Sequence, residues 1–181
     1  MKKGAVPNKK MNNIYLVGFM GTGKTTVGRE LAAKKKWQFA DLDDLIELRE
    51  KSLIRDIFAK KGEPYFRKVE KQVLKGASGE KNFVFSCGGG IVIDPENIKI
   101  MKATGKVICL AAEPEVILKR TAGCCDRPLL NVLDPKKQIK LLLNMRAPYY
   151  ARADKVIDTS KLSVQQVVAR IIKITSGPAK K

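Results

Sequence analysis

Histidine is absent from the 181-residue chain. Without an imidazole, any proton transfer must fall to a carboxylate, a lysine or a tyrosine. The commonest zinc ligand is missing as well. The four cysteines (Cys87, Cys109, Cys124 and Cys125) include no C-x-x-C pair. Vicinal Cys124-Cys125 makes a poor disulfide or metal clip, which argues against a zinc site and for reduced, mostly structural thiols. Acidic residues are scarce, at 18 against 36 lysines and arginines, for a net charge of +18. Four lysines within residues 1–13 and two at the C-terminus account for only six of those charges, so the excess belongs largely to the folded body. It fits a nucleic-acid surface, the steering of anionic substrates, or a plain solubility habit. No aromatic-interleaved basic patch, zinc motif or recognition helix supports the first, so a nucleic-acid partner is not expected. Long apolar runs are missing too. None approaches the roughly 18–20 residues of a membrane span. The basic N-terminus carries no apolar stretch typical of a secretory signal and is too short and arginine-poor for a transit peptide. A cytoplasmic protein without membrane association is expected, working as a monomer. Its hydrophobic fraction, 44% with 6% aromatics, suits one ordinary globular domain.

What is present is led by Gly18-Phe19-Met20-Gly21-Thr22-Gly23-Lys24-Thr25, which has the spacing G-x-x-x-x-G-K-[ST]. Ile14-Tyr15-Leu16-Val17 before it reads as a buried strand, and Thr26 to Ala33 after it reads as a helix. In that setting backbone N–H groups turn inward around a polyphosphate and the helix N-terminus adds partial positive charge. Gly21, Thr22, Gly23 and Thr26 are expected to line the nucleotide. Lys24 reaches the terminal phosphates and Thr25 ligates Mg²⁺. A nucleoside triphosphate is therefore the expected ligand.

Short apolar runs alternate with amphipathic stretches along the chain. Strands are predicted at 14–17, 38–40, 83–86, 107–111 and 155–157. Helices are predicted at 24–36, 42–61, 63–75, 95–102, 114–121, 135–151 and 163–175. This alternation predicts an α/β fold, a parallel sheet covered on both faces, with ligands beyond the C-terminal strand ends. A single domain over residues 13–175 is expected between a basic tail at 1–12 and a short tail at 176–181. Within it, residues 42–76 form a helical insert and residues 121–134 a Gly- and Pro-bearing loop that suits a lid.

Several clusters carry candidate chemistry. Asp41 at a strand end can hold a water of a metal shell, and Asp43 can accept a proton from a substrate hydroxyl. An equal reading makes Asp43 or Asp44 a helix N-cap. Arg67 and Glu70 are spaced i,i+3, so a solvated ion pair is the plain alternative. Arg146 and Tyr150 share a helix face, where the tyrosine could simply pack in the core. Together Arg67 and Arg146 could grip a carboxylate in a fork. Gly88, Gly89 and Gly90 follow a strand; they suit either a turn or a close backbone approach to ligand. Ser86, just before, could hold a metal-bound water. Arg127 could swing over a transferring phosphoryl group, and Arg120 could stack on an adenine.

In order, G-x-x-x-x-G-K-T, Asp41-x-Asp43, Phe66-Arg67-x-x-Glu70, Gly88-Gly89-Gly90, Arg127-Pro128-Leu129-Leu130 and Arg146-x-x-x-Tyr150 resemble the shikimate kinase family. The resemblance covers about Asn13 to Ile172. It implies a P-loop fold of the nucleoside-monophosphate-kinase type, a three-layer α/β/α sandwich with a five-stranded parallel sheet in the order 2-3-1-4-5. It also implies ATP- and Mg²⁺-dependent phosphorylation of the shikimate 3-hydroxyl, on the way to chorismate and the aromatic amino acids. Lys24, Asp43 and Arg127 would be catalytic. Arg67, Arg146 and the three glycines would hold shikimate. Thr25 would hold Mg²⁺, with Asp41 and Ser86 acting through water. Departures are confined to Cys87 before the glycines and Cys124-Cys125 in the lid. The alternatives are a related small-molecule kinase resembling gluconate kinase, and a P-loop protein that binds nucleotide or RNA without catalysis.

Overall fold

A computed structural model describes residues 12–122 and 132–176. Five parallel strands, β1 (Asn13–Val17), β2 (Gln38–Asp41), β3 (Phe83–Ser86), β4 (Gly105–Ala111) and β5 (Lys155–Asp158), form one sheet in the order β2-β3-β1-β4-β5. Every residue of β1 is buried, as expected for a central strand covered on both faces. Two apolar layers flank the sheet. Side chains alternate between them, Tyr15 and Val17 toward one and Ile14 and Leu16 toward the other. The second layer is closed by α1 (Lys24–Lys35) and α7 (Val164–Thr175). The first is closed by α2 (Leu42–Glu50), α3 (Ile54–Ala77), α4 (Pro95–Thr104), α5 (Pro114–Thr121) and α6 (Pro135–Tyr150).

The strands and most helices lie where the sequence places them, but the helix predicted at 42–61 is two. The chain turns out of α2 at Lys51, whose φ is 50°, and re-enters helix at Ile54. Glu47 Oε1 accepts from the Ile54 amide at 2.8 Å, so one helix caps the start of the next. Gly62, at φ 77°, breaks α3 where the sequence separates 42–61 from 63–75, and Pro64 sits where the helix resumes. A single 3₁₀ turn over Ile91–Ile93 follows the triple glycine and was not predicted. Among the described residues no helix is long and apolar enough to cross a membrane.

The sheet order decides where chemistry gathers. Asp41 and Ser86 are register partners at the C-terminal ends of β2 and β3, and Leu16 pairs with the same Ser86 from β1. Loops leaving β1, β2 and β3 therefore start side by side.

Candidate active site

The loop from Gly18 to Thr25 joins β1 to α1. Gly18, Gly21 and Gly23 all have positive φ, at 134°, 75° and 93°. A Cβ at Gly18 would collide with the Leu110 carbonyl, so β4 forces the loop to turn away at once. Thr22 is buried and its hydroxyl donates to Phe19 O at 2.7 Å, closing the turn. Lys24 Nζ donates to the Gly18 and Phe19 carbonyls, each at 3.0 Å, which folds its ammonium back over the loop. Thr26 is exposed beside Thr25 in the first turn of α1.

Thr25 Oγ1 donates to Asp41 Oδ2 at 2.9 Å and lies 3.3 Å from Ser86 Oγ. Three residues from α1, β2 and β3 thus bring oxygen donors to one point, with a single carboxylate among them. Such a set suits a hard cation that keeps most of its water. The other Asp41 oxygen, Oδ1, accepts from the Asp43 amide at 3.1 Å and caps α2. The capping task expected of Asp43 or Asp44 belongs to Asp41, which leaves the Asp43 carboxyl uncommitted to the helix. Burial, then the neighbouring Asp41 charge, push that carboxyl up to about 6, against the pull of Lys24.

Each glycine of the triple faces a different charged group. A Cβ on Gly88 would lie 2.9 Å from Asp43 Oδ1 and 3.2 Å from Glu70 Oε1. On Gly89 it would lie 3.4 Å from Arg146 Nη1, and on Gly90 2.5 Å from Arg67 Nη2. A side chain at Gly88 or Gly90 would displace the charged end that faces it. Arg67 and Arg146, far apart in sequence, flank adjacent residues of this segment. Arg146 also sits over the Phe19 ring, 5.6 Å from its centroid. Tyr150 is buried in the core, and its hydroxyl donates to Gly89 O at 2.9 Å, pinning the segment.

Arg67 donates to Glu63 Oε1 through Nε and Nη2, and to Glu70 Oε2 through Nη1 at 2.8 Å. The Arg67–Glu70 pair forms, but it is not the solvated pair that spacing suggests. Glu70 is 1% exposed, and its Oε1 has no hydrogen-bond partner among the described residues. Burial lifts its carboxyl to about 7 even though Arg67 pulls the other way. Arg120, at the exposed end of α5, donates to the hydroxyl and the carbonyl of Thr159, both at 3.0 Å, and lies 3.4 Å from Gly21 O. Arg127 and the vicinal cysteines lie outside the described residues, as does most of the predicted lid. Cys87 and Cys109 are free thiols in the core, and burial raises both above the usual thiol range.

Phe19, Glu70 as a buried group, and Thr159 are the participants that sequence reasoning missed. Phe19 is a variable position of the loop motif, and Thr159 belongs to no motif quoted above. The early signs were the i,i+3 spacing of Glu70 from Arg67 and its place in the motif Phe66-Arg67-x-x-Glu70.

The chain is similar to known proteins over most of its length. A family model described as shikimate kinase matches residues 20–176. A shikimate kinase of Thermoanaerobacter pseudethanolicus is 45% identical over 163 residues, covering 90% of this chain and 95% of the relative. One from Caldanaerobacter subterraneus subsp. tengcongensis is 46% identical over the same shares. Among solved structures, the shikimate kinase of Acinetobacter baumannii in complex with shikimate superposes with a TM-score of 0.88 at 37% identity, over 96% of this chain and all of that one.

Proposed function

The chain belongs to the shikimate kinase family, and from that premise we propose that it transfers the γ-phosphoryl of ATP to the 3-hydroxyl of shikimate, giving shikimate 3-phosphate and ADP. The triple glycine carries the reading, because it sets two arginines and a carboxyl pair around one segment beside the phosphate loop. A nucleotide switch has no use for such a pocket. An acceptor bearing hydroxyls and a carboxylate does.

Lys24 would exchange the Gly18 and Phe19 carbonyls for the terminal phosphates. Thr25 would hold Mg²⁺, with Asp41 and Ser86 acting through water, and the ion would neutralise charge on the β- and γ-phosphates. Arg67 and Arg146 would grip the shikimate carboxylate, with the amides of Gly88, Gly89 and Gly90 close by. The acceptor oxygen then attacks the γ-phosphorus in line while the bond to the β-phosphate oxygen breaks. Asp43 takes the hydroxyl proton, or orients it until transfer. Arg120 would lie against the adenine. Arg127, from a lid over 121–134, would meet the charge on the equatorial oxygens and help exclude water. The insert at 42–76 supplies the acceptor side of the site. We take the enzyme to act in the cytoplasm as a monomer, with these two small molecules and no polynucleotide as its partners.

Coupled ADP release tests the reading. Release should depend on shikimate and Mg²⁺, and Arg146→Ala should raise the KM for shikimate. Release independent of shikimate, or preference for gluconate, would overturn it.

A further inference from the structure

Thr159 has every polar atom engaged. It follows β5 directly, is 2% exposed, and its amide donates to Ala111 O at 2.8 Å. Its hydroxyl lies 3.0 Å from Ala111 O and 3.3 Å from Thr22 O, and gives its one proton to either. The same Oγ1 accepts from Arg120 Nη1 while the Thr159 carbonyl accepts from Nη2. One small side chain thus joins the end of β4, the phosphate loop and the exposed end of α5.

An exposed arginine ordinarily samples many rotamers and loses that freedom on binding. Two bonds to one residue fix the guanidinium plane in advance. Guanidinium N–H groups point along the rim of the plane, so bonds made through them leave its flat faces to an aromatic ring. We propose that Thr159 is a positioning residue for the nucleoside half of ATP: it fixes Arg120 in the plane against which the base stacks and ties that plane to the phosphate loop through Thr22 O. The proposal rests on the ATP-dependent reading above.

Calorimetric binding of ATP and of inorganic tripolyphosphate, without acceptor, separates the nucleoside contribution from that of the phosphates. Thr159→Val keeps the shape and removes the hydroxyl. It should weaken ATP about tenfold, the scale of one charged hydrogen bond, and leave tripolyphosphate within about twofold. Thr159→Ser should restore ATP affinity, and Thr159→Val should add nothing to Arg120→Ala. In turnover the KM for ATP should rise alone, with kcat and the shikimate KM unchanged. Unaltered ATP affinity in Thr159→Val, or equal loss of ATP and tripolyphosphate, would overturn the proposal. If Thr159→Val does not fold, Thr159→Ala gives the same comparison, since it too removes the hydroxyl and keeps the carbonyl that accepts from Nη2. A wild-type protein that binds ATP yet shows no shikimate-dependent ADP release would sink the proposed function, while the binding comparison would still decide the role of Thr159.

Discussion

Burial and the adjacent Asp41 hold the Asp43 carboxyl near 6, where a general base changes state just below neutrality. A base works ionised, so kcat/KM should fall as pH drops through about 6. Asp43→Asn should lower kcat by about 10²–10⁴-fold while calorimetry finds ATP affinity unchanged. Glu70 bears on the fold, and there stability falls as pH rises. Its carboxyl is raised from 4.5 to about 7, so the folded state holds the proton more tightly than the unfolded one. That contribution is full below the unfolded value and is lost as pH rises through about 7. Thermal unfolding should therefore show the wild type losing more stability than Glu70→Gln between pH 5 and 8. Equal losses would remove Glu70 as the titrating group. Neither property was legible in sequence. The spacing D-x-D does not say which aspartate caps the helix, and i,i+3 spacing does not say which partner is buried.

Elements were easier to read, because strands this short and apolar, set between amphipathic stretches, leave few topologies open. The break at Lys51–Leu53 escaped because no proline or glycine marks it; Lys51 takes a left-handed conformation that lysine adopts only when neighbours hold it there. The segment at 88–90 could be read as turn or ligand approach, and packing supplies a third reason: each position is crowded by a charged group. Gly90 has an ordinary φ of −96°, so alanine there strains no backbone. Its methyl would instead displace the flexible end of Arg67, 2.5 Å away. Gly90→Ala should raise the shikimate KM by about tenfold or more, the scale of one lost charged hydrogen bond. Its melting temperature should stay near that of the wild type. An unchanged KM would place the carboxylate grip elsewhere.

Charge is unevenly spread over the molecule. Residues 42–76 hold seven acids against nine basic residues, so nearly all of the positive excess of +18 lies outside the proposed acceptor-side insert. Steering should accordingly favour the more highly charged nucleotide. Raising ionic strength from low to physiological should increase the KM for ATP by about two- to fivefold and that for shikimate less. Equal shifts would leave the excess as a solubility feature. The central place of β1 bears on synthesis as well as catalysis. Ile14 pairs with Val84 on one side and with Lys106 on the other. β1 is made before both partners, which follow some seventy and ninety residues later, and loop closure over such spans is slow. During translation this apolar segment stays uncovered until β3 and β4 arrive. Nascent chains halted short of β4 should be captured by chaperones and hold no ATP, although the whole phosphate loop has already been made.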